Sequence, residues 1–418
     1  MKKVTGKNRK PELLAPAGSL EVLKTAIDYG ADAVYIGGYE YGLRAKAKNF
    51  TMEEMAEGIT YAHKHQVKVY VTANIIAHNQ DLIGLDKYFK ELAAMGADAV
   101  IVADPGVLMV LKETVPDMPV HLSTQANNTN YKGVLFWYKQ GVERVVLARE
   151  LSLKEISEIR SKLPLDLTLE AFVHGAMCIS YSGRCLLSNY MTGRDANKGD
   201  CAQACRWRYY LVEETRPGEY MPVYENERGT FIYNSKDLCM IDAIPQLIQA
   251  GIDSFKIEGR MKTAFYVGSV VKAYREAIDD YFEDENLYHS KINYYLEEVT
   301  KFSHRDYTKG FYFEKPSGSE QIYSHSSYIR GYSFAGRVMD YDPESQVATI
   351  EQRTKFSVGE EIEFMPFSSP SFAQRISQLW DQEGNEIHSA PHPKQIVKMK
   401  VIKPVEKNIL IRKKEEDF

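Results

Sequence analysis

Cys178, Cys185, Cys201, Cys205 and Cys239 fall within one 62-residue window, and the rest of the 418-residue chain has no cysteine. The first four read C-x6-C-x15-C-x3-C on a stretch rich in Gly, Ser, Asn and Asp. Three chemistries compete for them. Structural zinc favours paired C-x2-4-C knuckles, and only Cys201 and Cys205 are so spaced. An iron–sulfur cluster takes four thiolates at looser spacing, often with one remote in sequence. Cys178, Cys185, one of the Cys201/Cys205 pair, and Cys239 fit that pattern better. Five reduced, partly buried thiols with no ligand are the third reading. A His174–Cys178 nucleophilic pair is conceivable, but it would consume a thiol of the cluster set. The hydrolase motifs H-E-x-x-H and G-x-S-x-G are absent.

Other polar residues gather at the ends of expected strands. Glu170 and His174 lie in Glu170–Cys178, which runs off one strand; His174 suits an acid or base, or a satisfied loop histidine. Gln125, Asn127 and Asn128 follow a second strand, and Arg149 and Glu150 a third. Lys256, Glu258 and Arg260 lie on and just past a fourth. Glu170, His174, Lys256 and Glu258 are the candidates for catalysis. Gln125, Asn127, Arg149 and Arg260 are candidates for binding an anionic small molecule, since Arg grips a carboxylate bidentately. The alternative for each is an ion pair lining the fold, such as Arg149–Glu150 or Glu258–Arg260.

The elements that must position these residues come from a weak internal repeat. Tyr29–Ile36, Met95–Val102, Gln140–Leu147 and Ala250–Ile257 each place Gly second, then a short polar turn, then an apolar run. A helix ends, Gly takes the left-handed position after it, and a strand enters a sheet. The helices between are amphipathic, with Leu20, Leu23 and Ile27 on one face and Leu85, Tyr88, Phe89 and Leu92 on another. Ser152 with Glu155 reads as a capping box opening a helix over 153–163. Further strands are expected at 12–14, 67–72, 120–123, 167–172 and 230–233. Strands alternating with helices predict an α/β fold, a (β/α)8 TIM-barrel-like domain over 1–282, with the cysteine-rich insertion at about 175–239 over its mouth. An open doubly wound sheet is the competitor, and the first strand carries no G-x-G-x-x-G.

A helix over 263–282 is expected to close that domain. Residues 283–329 read as a charged, Tyr- and Ser-rich linker. From residue 330 the pattern changes: Val397, Met399 and Val401 alternate with Lys398 and Lys400, and turn signals sit at Asp342-Pro343, Gly359 and Gly384-Asn385. This predicts a small C-terminal β-barrel domain over 330–418. Its lysines (Lys394, Lys398, Lys400, Lys403) suit RNA phosphates or a solvated face.

A net charge of −5 argues against a strongly basic nucleic-acid binder and leaves a local basic face open. The basic first ten residues precede no apolar core, and no 18-residue apolar run exists. A cytoplasmic location is expected, where thiols stay reduced and ligation is the better reading of the cysteines.

Glu170-x-Phe172-x2-Gly175-Ala176-Met177-Cys178-x4-Gly183-x-Cys185-x-Leu187-Ser188 resembles the signature of the peptidase U32 family, also labelled collagenase-like proteases. Glu12–Gly18, Asp32–Tyr35 and Lys256–Arg260 resemble it as well, so the likeness spans most of the chain. The segment Phe302–Phe311 makes the chain most similar to the tRNA-modifying branch. The resemblance implies oxygen-independent hydroxylation of a wobble uridine in the tRNA anticodon loop, with prephenate as hydroxyl source. It implies a [4Fe-4S] cluster on Cys178, Cys185, Cys201 and Cys239, with Cys205 the alternative to Cys201 and zinc the lesser choice. It also implies a possible family paralogue as partner subunit. Arg149, Lys256 and Arg260 suit the dicarboxylate, and Trp207 and Tyr209 suit stacking on an unpaired base. Arg194, Lys198, Arg206 and Arg208 suit steering of the anticodon loop. The alternatives are a collagenase-like peptidase and a zinc-stabilised, non-catalytic RNA-binding protein.

Overall fold

The computed structural model describes residues 9–39, 41, 49–177, 187–194, 201–204, 210–211, 221–222, 236–314 and 331–415. Eight parallel strands close into a barrel. They are β1 (Glu12–Pro16), β2 (Ala33–Gly37), β3 (Lys68–Ala73), β4 (Ala99–Val102), β5 (Val120–Leu122), β6 (Arg144–Val146), β7 (Thr168–Ala176) and, completing the ring, β11 (Ser254–Ile257). Between β7 and β11 lie the short pair β8 (Tyr210–Leu211) and β9 (Met221–Pro222), and then β10 (Asp237–Cys239). Closure runs through β11, which pairs with β1 on one side and β7 on the other.

The repeat works as its residues predict. Gly30, Gly96, Gly141 and Gly251 all have φ between 83° and 97°, the left-handed region that only glycine enters cheaply. Helices follow the strands: α1 (Leu20–Asp28), α2 (Met52–Lys64), α3 (Leu85–Met95), α4 (Pro105–Thr114), α5 (Tyr131–Lys139) and α6 (Leu153–Ser161). Ser19, Thr51, Asp104, Asn130 and Ser152 cap five of these by accepting backbone N–H bonds. The capping box of Ser152 and Glu155 is formed. The short α7 (Leu187–Thr192) belongs to the cysteine-rich insertion; α8 (Ile244–Gln249) and α9 (Ala264–Glu283) complete the outer ring.

Paired positions across the ring share a face. Leu14, Ala33, Tyr35, Tyr70, Ala99 and Ile101 form an apolar plate inside the barrel. Glu12, His121, Arg144, Thr168, Glu170, Ser254 and Lys256 continue the same inward rows by register. The large apolar core lies outside, between strands and helices, where the alternate residues Val34, Val69, Val100, Val145 and Phe255 meet the helix faces.

Three expectations change. The strand carrying Glu170 does not stop at residue 172 but runs to Ala176, so His174 sits in a strand and not in a loop. The cause is β10, which pairs antiparallel with the end of β7 and extends it, with Cys239 opposite His174. Cys239 is therefore a strand residue, and the strand expected at 230–233 lies outside the described residues. The stretch 283–329, read as a connection, carries α10 (Glu285–Ser290), α11 (Ile292–Glu298) and β12 (Tyr307–Thr308) over its described part. Tyr288, Tyr295 and Phe302 are fully buried there; apolar anchors spaced seven apart are too sparse to read as a periodic face.

The C-terminal domain folds an eight-stranded antiparallel sheet and a two-stranded ribbon around a separate apolar core that includes Val338, Ile350, Phe364, Val397 and Ile411. It is fastened to the barrel by buried polar contacts. The Tyr29 hydroxyl donates to the Met365 carbonyl at 2.7 Å and accepts from the Leu410 N–H at 2.9 Å. Lys272 Nζ donates to the carbonyls of Pro366 and Ser369, and the Arg412 guanidinium bridges Glu298 and Glu363. No helix among the described residues is long and apolar enough to cross a membrane.

Candidate active site

Two polar layers occupy the barrel axis. The lower layer starts from Glu12 and Arg144, the first residues of β1 and β6. Arg144 Nη1 pairs with Glu12 Oε1, Nη2 reaches Glu12 Oε2 at 3.2 Å, and Nη1 lies 3.3 Å from Glu170 Oε2. Ser254 Oγ donates to Glu12 at 3.1 Å, and the Tyr70 hydroxyl donates to Glu12 at 2.7 Å. Lys256 Nζ donates to Glu170 Oε1 at 2.6 Å. Two carboxylates thus face two cations, and Glu170 is completely buried. Burial pushes the Glu12 carboxyl up, but the Arg144 guanidinium, with hydrogen bonds from Tyr70 and Ser254, holds it below its ordinary value. Burial lowers Lys256 despite the Glu170 carboxylate beside it. His121, buried within the same layer, is kept neutral by burial and by the nearby Arg144 and Lys256 charges.

The upper layer is the mouth, where the strands end. Arg149 lies with its guanidinium 4.0 Å from the centre of the Phe172 ring and donates to the Ala176 carbonyl at 2.9 Å. Lys256 Nζ approaches the same ring at 5.6 Å and the Tyr35 ring at 4.4 Å, so it joins the two layers. Arg260 Nη1 donates to Thr72 Oγ1 at 2.7 Å and Nη2 to Asn49 Oδ1 at 3.2 Å. Gly37 makes room for it: a Cβ there would lie 2.6 Å from the guanidinium. A Cβ on Gly18 would lie 2.0 Å from the Arg260 carbonyl, so the first and last loops close on one another only through glycine.

The mouth holds donors without acceptors. Among the described residues, Arg149 Nε, Asn127 Nδ2 and Asn128 Nδ2 are buried and meet no acceptor, and Arg149 pairs with no carboxylate. The loops that carry them are tied together: the Thr124 hydroxyl donates to the Leu147 carbonyl, and the Ala148 N–H donates to the Asn128 carbonyl. A buried donor left unpaired costs free energy. Three of them on adjoining loops suit an oxygen-rich, anionic ligand.

The other expected site residues fall elsewhere. His174 is 1% exposed and ringed by Tyr266, Tyr274, Phe302 and Tyr307 at centroid distances of 5.4–6.2 Å. Burial, with His304, Lys262 and Lys309 nearby, drops its pKa to about 3. A neutral imidazole in an aromatic cage is no loop histidine. Glu258 is pinned through its backbone, its N–H donating to the His174 carbonyl and its own carbonyl accepting from the Tyr266 hydroxyl. Gln125 donates its backbone N–H to the Ser123 hydroxyl, which caps the turn after β5. Trp207, Tyr209, Cys178 and Cys185 lie outside the described residues, as do Cys205, Arg206, Arg208 and Lys198.

Cys201 and Cys239 are described. The Gln203 N–H donates to Cys201 Sγ at 3.3 Å, and the Ile241 backbone interacts likewise with the Cys239 sulfur. Both sulfurs thus receive an N–H from two residues downstream, the support a thiolate ligand uses. Burial raises the Cys239 thiol to about 11, so its thiolate calls for a nearby cation. The strap after α11 holds β10 in place: Lys309 Nζ donates to the Cys239 carbonyl at 2.9 Å and pairs with Asp242, and the Tyr312 hydroxyl donates to the Phe172 carbonyl at 2.5 Å. This gives the Phe302–Phe311 segment a physical role.

Glu12, Arg144, Tyr70 and His121 were not singled out from sequence. The signal was there: in Arg144-Val145-Val146 and Ser254-Phe255-Lys256-Ile257 polar residues take positions that alternate with the apolar outer face.

The profile of peptidase family U32 matches residues 18–322, and that of the peptidase family U32 C-terminal domain matches residues 330–412. The chain belongs to the peptidase U32 family. Within it, the chain is 47% identical over 406 residues to tRNA hydroxylation protein P1 of Bacillus subtilis (strain 168), covering 97% of this chain and 95% of the relative. It is 39% identical over 427 aligned positions to tRNA hydroxylation protein P of Escherichia coli (strain K12), covering 91% and 92%. It is 38% identical over 281 residues to the 23S rRNA 5-hydroxycytidine C2501 synthase of Escherichia coli (strain K12), covering 67% of this chain and 41% of that one. Gly18, which ends the U32-like stretch Glu12–Gly18, is the glycine against which the Arg260 carbonyl packs.

Proposed function

We propose that this U32 protein is an RNA-modifying enzyme that hydroxylates a tRNA wobble uridine at its 5-position without molecular oxygen, drawing the hydroxyl group from prephenate. The observation that carries the reading is the set of buried donors at the mouth, Arg149 Nε, Asn127 Nδ2 and Asn128 Nδ2, which call for acceptor oxygens. Both a dicarboxylate and a uracil edge present them. The relatives' names supply the RNA.

Each mouth residue has a task in this reading. Arg149, held over the Phe172 ring, orients a carboxylate. Arg260, fixed by Thr72 and Asn49, contributes positive charge on the opposite wall. Lys256, with its lowered pKa and Glu170 beneath it, can hold or release a proton at the floor of the mouth. Glu170 acts by positioning that ammonium. Cys178, Cys185, Cys201 and Cys239 would hold a [4Fe-4S] cluster, a redox-active Lewis acid when bound. A family paralogue as partner subunit and a cytoplasmic location belong to the same proposal.

The test is mass spectrometry of tRNA nucleosides from cells lacking the gene. We expect loss of 5-hydroxyuridine and its derivatives, restored by the intact chain and not by Arg149→Ala or Cys239→Ala. An unchanged nucleoside profile in cells without a second U32 gene overturns the proposal.

A further inference from the structure

A cavity of about 240 Å3 opens beside the mouth and belongs to none of the residues assigned above. Among the described residues its walls include Tyr39, Phe50, Met52 and Tyr88, with Lys87 and Glu91 also lining it. Gly37 and Gly38 link the two spaces. They are consecutive in an extended segment, so they face opposite ways. The Gly37 face meets the Arg260 guanidinium in the mouth, and the Gly38 face meets Met55 and Tyr88 beside the cavity.

The lining suits a flat aromatic ligand. Tyr39 is 62% exposed and presents its ring at the cavity. Tyr88 is buried, backed by the Tyr41 ring at a centroid distance of 5.0 Å, so that wall is fixed. The start of α2 also borders the cavity, and its capping box takes the N–H groups of Thr51 and Glu54. Lys87, 81% exposed and 3.7 Å from Glu91, can turn to a phosphate at the rim.

We infer that this cavity receives an unpaired nucleobase of the RNA substrate, the neighbour of the nucleotide that enters the mouth. The base stacks on Tyr39, and Lys87 meets its phosphate. This rests on the RNA reading above and adds a subsite to it. A splayed strand needs such a platform, because a reacting base leaves its stack only if its neighbours are held elsewhere.

The experiment uses the full chain and an anticodon stem-loop RNA carrying 2-aminopurine on one side or the other of the target uridine. We expect emission at one of the two positions to change on binding the unmodified protein. Tyr39→Ala should abolish that change and weaken binding about tenfold, while Tyr39→Phe retains both. Lys87→Ala should weaken binding less and reduce its dependence on salt. Filling the cavity with Met52→Trp should reproduce the Tyr39→Ala result. If Tyr39→Ala and Met52→Trp both bind within about twofold of the unmodified protein, with its emission change intact, the subsite is overturned and the RNA reading stands. If the unmodified protein neither binds nor hydroxylates tRNA, the RNA reading fails and the subsite with it.

Discussion

The floor of the barrel and its mouth use the same residue types to opposite ends. In the floor, Glu12 and Glu170 face Arg144 and Lys256, and Ser254 and Tyr70 supply hydroxyls, so the charges cancel. Toward the mouth, Arg149 sits over an aromatic ring, and among the described residues its Nε and two asparagine amides nearby meet no acceptor. Buried charge is structural where it is neutralised by the chain itself. At the mouth, donors are left over among the described residues. Lys256 belongs to both layers, which is why burial and Glu170 pull its proton affinity in opposite directions.

The comparison breaks most readily in the floor. Arg144→Met leaves two carboxylates buried without their cation, and we expect a loss of roughly 3–5 kcal/mol of stability in urea denaturation. Replacing Glu12 and Glu170 by uncharged residues in the same chain should recover much of it. If Arg144→Met alone unfolds at the same urea concentration as the unmodified protein, the floor is not neutralised as described.

The mouth should respond the other way. Arg149→Ala removes charge-assisted contacts worth roughly 1.5–3 kcal/mol to a ligand, about tenfold to hundredfold in kcat/KM, with a stability change below about 1 kcal/mol. A large stability loss with normal turnover would reverse the assignment of the two layers.

Acidity sharpens the contrast. His121 has a folded pKa well below its ordinary value of 6.5, so below that pH the unfolded chain binds a proton that the folded chain refuses. Stability should fall as pH drops below 6.5, with His121→Phe flattening the slope by about one proton. Equal slopes for both proteins would remove His121 from the neutral floor. The smallest effect belongs to Ser254→Ala, which deletes one hydroxyl shared by both floor carboxylates and should cost about 1 kcal/mol.

Much of this was legible in the linear order of residues. The four repeat glycines fell at left-handed positions, and Ser152 with Glu155 made its cap, because both are local effects within a few residues. Arg149, Asn127 and Arg260 were candidates by their place after strands, where barrels keep their reactive ends, and the structure sets them at that end. His174 was misplaced because β10, 63 positions downstream, extends its strand. The helices over 285–298 were missed because their anchors are sparse and they fold onto α9 and not by themselves.

The sequence by itself determined the family, the barrel of parallel strands, the separate β domain, and the residues with chemistry to offer. Only the tertiary structure decided which charges are spent. Glu12 and Arg144 are 132 residues apart and meet because the ring closes, while Arg149 Nε stays buried with no acceptor among the described residues. Coulombic partnership depends on distance in space, and a chain that folds into a ring sets those distances only when its last strand meets its first.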